Sequence, residues 1–286
     1  MWNIDRCIWN INHSNLLPFR IVEWKELNGG TSSSVWKLLG DDSHHYVLKS
    51  NEYEMIKAES DFLLTYQNVG ILPKVLYVDN DHEYFIYTYI SGNVRSVMSN
   101  KKVLLKRLVN KLITQYKPTA KHNWGWTQSL SKDWHYYLLG EIESAKEIIG
   151  TALTEDDFKL VKNLIQKETR INPNEGSYLL HGDCGVHNFL QVDNRLVAVI
   201  DPMPLAGPLI YELVFAFCSS PEQLTMDVIY EAAKELPNFK NDKDQLVEEV
   251  IIGLYIRMLR CIYHHPQDLP VYLEAWKYWT TLNRIY

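Results

Sequence analysis

The chain has 286 residues, 46% of them hydrophobic and 22% charged, with a formal net charge of −6. That length holds one large domain or two lobes sharing a cleft, and the composition excludes a disordered polymer. The acidity speaks against a nucleic-acid binder, which needs a basic face for phosphates.

In chain order, Met1 to Asn15 mixes Asp5, Arg6 and several Asn and His with its apolar residues, so it lacks a signal-peptide core. Arg20–Leu27 and Ser34–Leu39 alternate apolar and polar residues and are joined by a Gly-rich turn; Tyr46–Lys49 is a third short strand. A helix is expected from about Glu52 to Gln67, ended by Gly70 and Pro73. Val75–Val78 and Tyr84–Tyr89 follow as strands, and Ser91-Gly92-Asn93 breaks the pattern. From Lys101 onward helical periodicity dominates: Val103–Tyr116, Trp134–Ile149, Glu155–Thr169, Leu209–Phe217, Met226–Leu236, Asp244–Tyr263 and Tyr272–Arg284. Strands at Tyr178–Leu180, Phe189–Val192 and Val197–Ile200 interrupt it. The expectation is a small β-rich lobe with one helix over residues 1–90, then a larger, mainly helical lobe over 91–286. No apolar run reaches the ~20 residues a membrane helix needs. Cys7, Cys184, Cys218 and Cys261 lie far apart, as reduced thiols of a cytoplasmic protein do.

The sharpest feature is His181-Gly182-Asp183-Cys184-Gly185-Val186-His187-Asn188, followed by a strand hairpin and Asp201-Pro202. It sets a carboxylate, a carboxamide and a second carboxylate on the loops of one small hairpin. Phosphoryl transfer asks for such groups: one to orient the attacking hydroxyl and accept its proton, others as oxygen ligands for Mg²⁺.

With Ile200-Asp201, Gly207 and Tyr211-Glu212-Leu213 added, these residues resemble the aminoglycoside phosphotransferase and choline kinase family, whose pattern is HGDxxxxN, a hairpin, then IDxxxxxGxxxxDLA. The resemblance implies an α+β, two-lobed protein-kinase-like fold, with a small antiparallel sheet and one helix ahead of a larger helical lobe. It also implies a small-molecule kinase that uses ATP or GTP with Mg²⁺. In it Asp183 acts on the substrate hydroxyl, Asn188 and Asp201 bind the metal, and His181 braces the loop. Pro202 stands where the family often has Trp, and Glu212 where Asp is usual; both departures bear on the subfamily.

Lys49 closes the third strand, and Glu59 interrupts the apolar stripe Met55, Phe62, Tyr66 of the helix after it. A carboxylate in such a stripe is costly unless a cation pairs with it. Lys49 is the natural partner, and a kinase Lys–Glu pair holds the α- and β-phosphates; Glu52, on nearly the same face, is the second choice for Glu59's place. The turn with Gly29, Gly30, Thr31 and Ser32 is the expected phosphate cover, because glycines allow close approach and amides and hydroxyls suit an anion. It is neither a Walker A loop nor a dinucleotide fingerprint. Tyr87 to Ile90, with Tyr89, is the expected hinge whose backbone meets the base. The His pairs read as solvated, the tryptophans as core rather than an ammonium cage, and the acids from Glu222 to Glu235 as a solvated face. The acceptor is a hydroxylated small molecule: an aminoglycoside or amino sugar, choline or ethanolamine, a sugar derivative or an amino-acid alcohol. Two rivals are a nucleotide-binding pseudokinase scaffold, opposed by the complete set Lys49, Asp183, Asn188 and Asp201, and a protein-directed kinase. Pro202-Met203 in place of Phe-Gly opposes the latter.

Overall fold

A computed structural model describes residues 3–27, 33–94, 100–119, 123–150, 152–167 and 176–284. It begins with α1 (Ile4–His13), a helix absent from the sequence-based expectation, capped by the Asn3 side chain accepting from the Arg6 N–H at 3.0 Å. Strands β1 (Ile21–Glu26), β2 (Ser34–Gly40), β3 (His45–Ser50), β4 (Val75–Val78) and β5 (Tyr84–Thr88), with α2 (Tyr53–Thr65) between β3 and β4, follow. The five strands form one antiparallel sheet in the order β1-β2-β3-β5-β4.

Because successive side chains leave a strand on opposite faces, the sheet divides its apolar residues. Trp36, Leu38, Tyr46, Leu48, Tyr84 and Ile86 join Cys7, Ile8 and Ile11 of α1 in one small core. Val47, Phe85 and Tyr87 face the other way, into the main core with Ile56, Phe62 and Leu63 of α2. Two helices therefore cover the sheet, and Lys49, two residues on from Val47, points to the α2 side.

The rest of the chain is helical with short strands: β6 (Asn93–Val94), α3 (Lys101–Lys111), β7 (Trp124–Trp126), β8 (Ser129–Ser131), α4 (Trp134–Ile149), α5 (Glu155–Ile165), β9 (Tyr178–Leu180), β10 (Phe189–Val192), β11 (Arg195–Val199), β12 (Leu205–Gly207), α6 (Leu209–Cys218), α7 (Met226–Ala233), α8 (Lys243–His264) and α9 (Leu269–Leu282). α3 stops short of the expected Tyr116: a 3-10 turn spans Ile113–Gln115 and Tyr116 is already extended, at ψ 140°, on the approach to Pro118. α8 packs on α4, α6 and α9. Gly253 permits the α6 contact, since a Cβ there would lie 2.3 Å from Val214 Cγ1. No helix among the described residues is long and apolar enough to cross a membrane.

Lys101, in the first turn of α3, is fully buried and donates from Nζ to Ser220 O at 2.8 Å and Glu222 O at 2.6 Å, tying α3 to the chain beyond α6. Burial lowers its pKa to about 7.

Two small sheets, β11-β10-β6 and β8-β7-β12-β9, hold the loops that matter. The loop at 181–188 runs from β9 to β10, and the loop at 200–204 from β11 to β12. They are laced together by Met203 N–H donating to His181 O at 2.9 Å and Ile200 N–H to Asn188 O at 3.0 Å.

Candidate active site

Lys49 and Glu59 are 6% and 5% exposed, and their charged ends meet at 2.7 Å. Asp201, from the loop after β11, brings Oδ1 to 2.9 Å from the same Lys49 Nζ. Burial alone would lower the Lys49 pKa; the carboxylates of Glu59 and Asp201 outweigh it and hold the ammonium above the ordinary lysine value. Burial pushes the Glu59 carboxyl up, and Lys49 opposes it. Glu52 is the exposed N-cap residue of α2 and is set aside as a partner.

Asp201 has φ 57°, a left-handed conformation that costs a non-glycine residue about 1–3 kcal/mol and persists only where its surroundings enforce it. Gly182 has φ 77°, and a Cβ there would lie 1.9 Å from Met203 O, so the loop requires glycine.

Asp183 has its two oxygens in different surroundings. Oδ2 is 2.9 Å from His187 Nε2 and accepts from Asn188 Nδ2 at 2.9 Å. Oδ1 faces Arg260 of α8, whose Nη1 is 3.5 Å away. Burial alone would raise the Asp183 pKa, but the His187 hydrogen bond and the charges of His187 and Arg260 overcome it and keep the carboxyl below its usual range. His181 is fully buried, its Nε2 lies 3.0 Å from Ile200 O, and burial lowers its pKa to about 4. Such a ring is a neutral brace between the two loops.

Glu212 of α6 completes the brace. It is buried, accepts from the Gly182 N–H at 3.3 Å and from the Tyr116 hydroxyl at 3.1 Å, and burial raises its pKa to about 7.

The structure thus brings five of the expected residues, Lys49, Glu59, Asp183, Asn188 and Asp201, to the facing surfaces of the β3 sheet and the two loops. Tyr87 lies inside β5, buried, and its hydroxyl pKa is raised by burial first and then by the charges of Asp201 and Glu59. Tyr89 follows the strand, half-buried, its N–H donating to His45 O at 3.3 Å. Gly29, Gly30, Thr31 and Ser32 lie outside the described residues. Arg260 and the Tyr116–Glu212 brace were not anticipated as parts of the site; the Glu212 departure from the family pattern was the available signal for the latter.

A small antiparallel sheet with a buried Lys–Glu pair, set over a helical body that carries an Asp-x4-Asn loop and an Asp loop, defines a protein-kinase-like phosphotransfer fold. Residues 23–242 match the model of the phosphotransferase enzyme family, APH, and the chain belongs to that family. Solved structures agree on the fold. A protein of Thermobifida fusca provisionally named a fructosamine-3-kinase aligns with TM-score 0.61 at 14% identity, covering 92% of this chain and 96% of the other. One of Haemophilus somnus, named in the same provisional way, aligns with TM-score 0.62 at 17% identity over 96% and 95%. A thermostable mutant of aminoglycoside phosphotransferase APH(4)-Ia, in ternary complex with AMP-PNP and hygromycin B, aligns with TM-score 0.59 at 14% identity over 94% and 97%. A search of curated proteins finds no significant match.

Proposed function

We propose that the protein transfers the γ-phosphate of ATP or GTP to a hydroxyl group of a small molecule in the cytoplasm. Residues 1–90 form the nucleotide-binding lobe and 91–286 the catalytic and substrate-binding lobe. The observation that carries this reading is the single charged cluster made by Lys49, Glu59 and Asp201 beside the Asp183–Asn188 pair. Glu59 orients Lys49 toward the α- and β-phosphates, the turn at Gly29–Ser32 covers them, and the backbone from Tyr87 to Tyr89 meets the base.

The donor set suits Mg²⁺. Asn188 spends its Nδ2 on Asp183, which leaves Oδ1 for a cation, and Asp201 spends Oδ1 on Lys49, which leaves Oδ2. Two hard oxygen ligands suffice for a metal that keeps phosphate and water oxygens as the rest of its shell. When bound, the ion supplies charge neutralisation on the phosphates.

Asp183, held as a carboxylate, orients the acceptor hydroxyl and takes its proton late, as the loose phosphoryl transition state demands. AMP-PNP and hygromycin B in the similar structure support a nucleotide and a hydroxylated small molecule as the two substrates. The test is a screen of hydroxylated compounds for acceptor-dependent ADP or GDP release. Asp183→Asn should cut turnover about 10²–10⁴-fold, while the Mg²⁺-dependent melting shift with nucleotide persists. Asp201→Ala should abolish that dependence on Mg²⁺. Near-normal turnover of Asp183→Asn, or no nucleotide shift at all in the unmodified protein, would overturn the reading.

A further inference from the structure

Arg260 lies on α8, beyond the residues that match the family model. Its guanidinium stands 4.9 Å from the centre of the Phe215 ring, and its side chain is 30% exposed. The 3.5 Å approach to Asp183 Oδ1 is a loose ion contact, and among the described residues the guanidinium makes no hydrogen bond. Its five N–H donors are thus open to solvent or to a ligand.

The placement says which ligand. Asp183 Oδ2 is committed to His187 and Asn188, so the acceptor hydroxyl must come to Oδ1, the oxygen that Arg260 faces. Arg260 and Phe215 also wall a narrow, largely apolar crevice of about 30 Å³ shared with Leu138 of α4 and Tyr211 of α6. Glu141, half-buried, lies nearby, and burial raises its pKa against the pull of Arg260 and the Trp126 hydrogen bond; Glu249 and Arg257 line the crevice itself. Arg260, 30% exposed and 3.5 Å from Asp183 Oδ1, is the cation nearest the acceptor's position.

We infer that Arg260 selects an acceptor with an oxyanion, a carboxylate or a phosphate, close to the hydroxyl that is phosphorylated. A guanidinium fork fits either group through two parallel hydrogen bonds, and it repels the ammonium of an aminoglycoside or of choline. This inference rests on the phosphotransfer reading and narrows its acceptor class.

The experiment uses the full chain and measures melting with glycerate, glycerol 3-phosphate, glycerol and choline, each with and without AMP-PNP and Mg²⁺. The two anions should stabilise the protein and glycerol and choline should not; the stronger of the two identifies the oxyanion as carboxylate or phosphate. Arg260→Gln should lose the anion shift and keep the nucleotide shift, which also reports that it is folded, and Arg260→Lys should recover part. In turnover with the best anionic acceptor, Arg260→Gln should raise KM about tenfold or more with a smaller change in kcat. Equal shifts from choline or glycerol overturn the inference. So does a fall in kcat that is the same for every acceptor, which would assign Arg260 to the transferred phosphoryl group. No AMP-PNP shift would sink the phosphotransfer reading and the acceptor assignment with it, whereas an AMP-PNP shift with no anion shift overturns the inference alone.

Discussion

Lys49 and Glu59 are 6% and 5% exposed, so removing Lys49 strands the Glu59 carboxylate, while removing Glu59 leaves Lys49 held by Asp201 alone. Breaking a buried pair from one side costs about 3–5 kcal/mol. Lys49→Ala should lose stability on that scale in urea titrations and Glu59→Ala less, because Asp201 still pairs with the lysine, and each should weaken nucleotide use. The double variant should be little worse than Lys49→Ala alone, because partners that act as a unit are non-additive. Additive losses would break the pairing. Glu59 was legible because a carboxylate in an apolar stripe asks for a cation. The stripe itself was one residue off: Ile56 is buried where Met55 was expected, and Met55 is half-exposed. That Lys49 also meets Asp201 was not legible, since 152 residues separate them. Arg260 was hidden for another reason. α8 buries Val247, Val250, Ile251, Leu254, Ile256 and Met258 on several sides, so periodicity does not say which way a polar residue points.

At the scale of elements, the long periodic segments read correctly, as did the short strands Val75–Val78, Tyr178–Leu180 and Phe189–Val192, but four other short strands did not. β6, β7, β8 and β12 have two or three residues each, too few for a period of two to show. α1 was missed because its ten residues carry two Asn and an exposed Trp9 alongside a narrow stripe of Cys7, Ile8 and Ile11. Yet α1 closes the sheet face opposite Lys49. Ile11→Ala should therefore cost about 2–5 kcal/mol, the range for emptying a buried Ile site, while nucleotide affinity stays within a factor of about two, far below the tenfold that 1.4 kcal/mol would bring. A large loss of affinity at unchanged stability would show that the two faces of the sheet are not independent.

Across the whole molecule, His181, Glu212 and Lys101 are among the buried ionisable groups that set how stability follows pH. His181 has its folded pKa lowered from 6.5 to about 4, so it contributes stability above pH 6.5 that is lost as pH falls through 4. Glu212 is raised from 4.5 to about 7, so its contribution is present below pH 4.5 and lost as pH rises through 7. The two oppose each other in mildly acidic solution. Lys101, lowered from 10.5 to about 7, makes a contribution that grows as pH climbs from 7 toward 10.5, against the buried thiols of Cys7 and Cys218, which burial pushes up to about 11 and about 12. Urea midpoints should rise over that interval relative to those of Lys101→Met, which lacks the titrating group; parallel profiles would remove Lys101 from the account.

The lysine that ties α3 to Ser220 and Glu222 also makes refolding a chemical event in the solvent. In the unfolded chain at mildly alkaline pH this amine carries a proton, and in the native chain it does not. Each molecule that folds must therefore discharge about one proton from this site into its surroundings. In weakly buffered solution an indicator dye would register the acidification as the chain folds. The heat of folding measured by calorimetry would then vary with the ionisation enthalpy of whatever buffer takes that proton up.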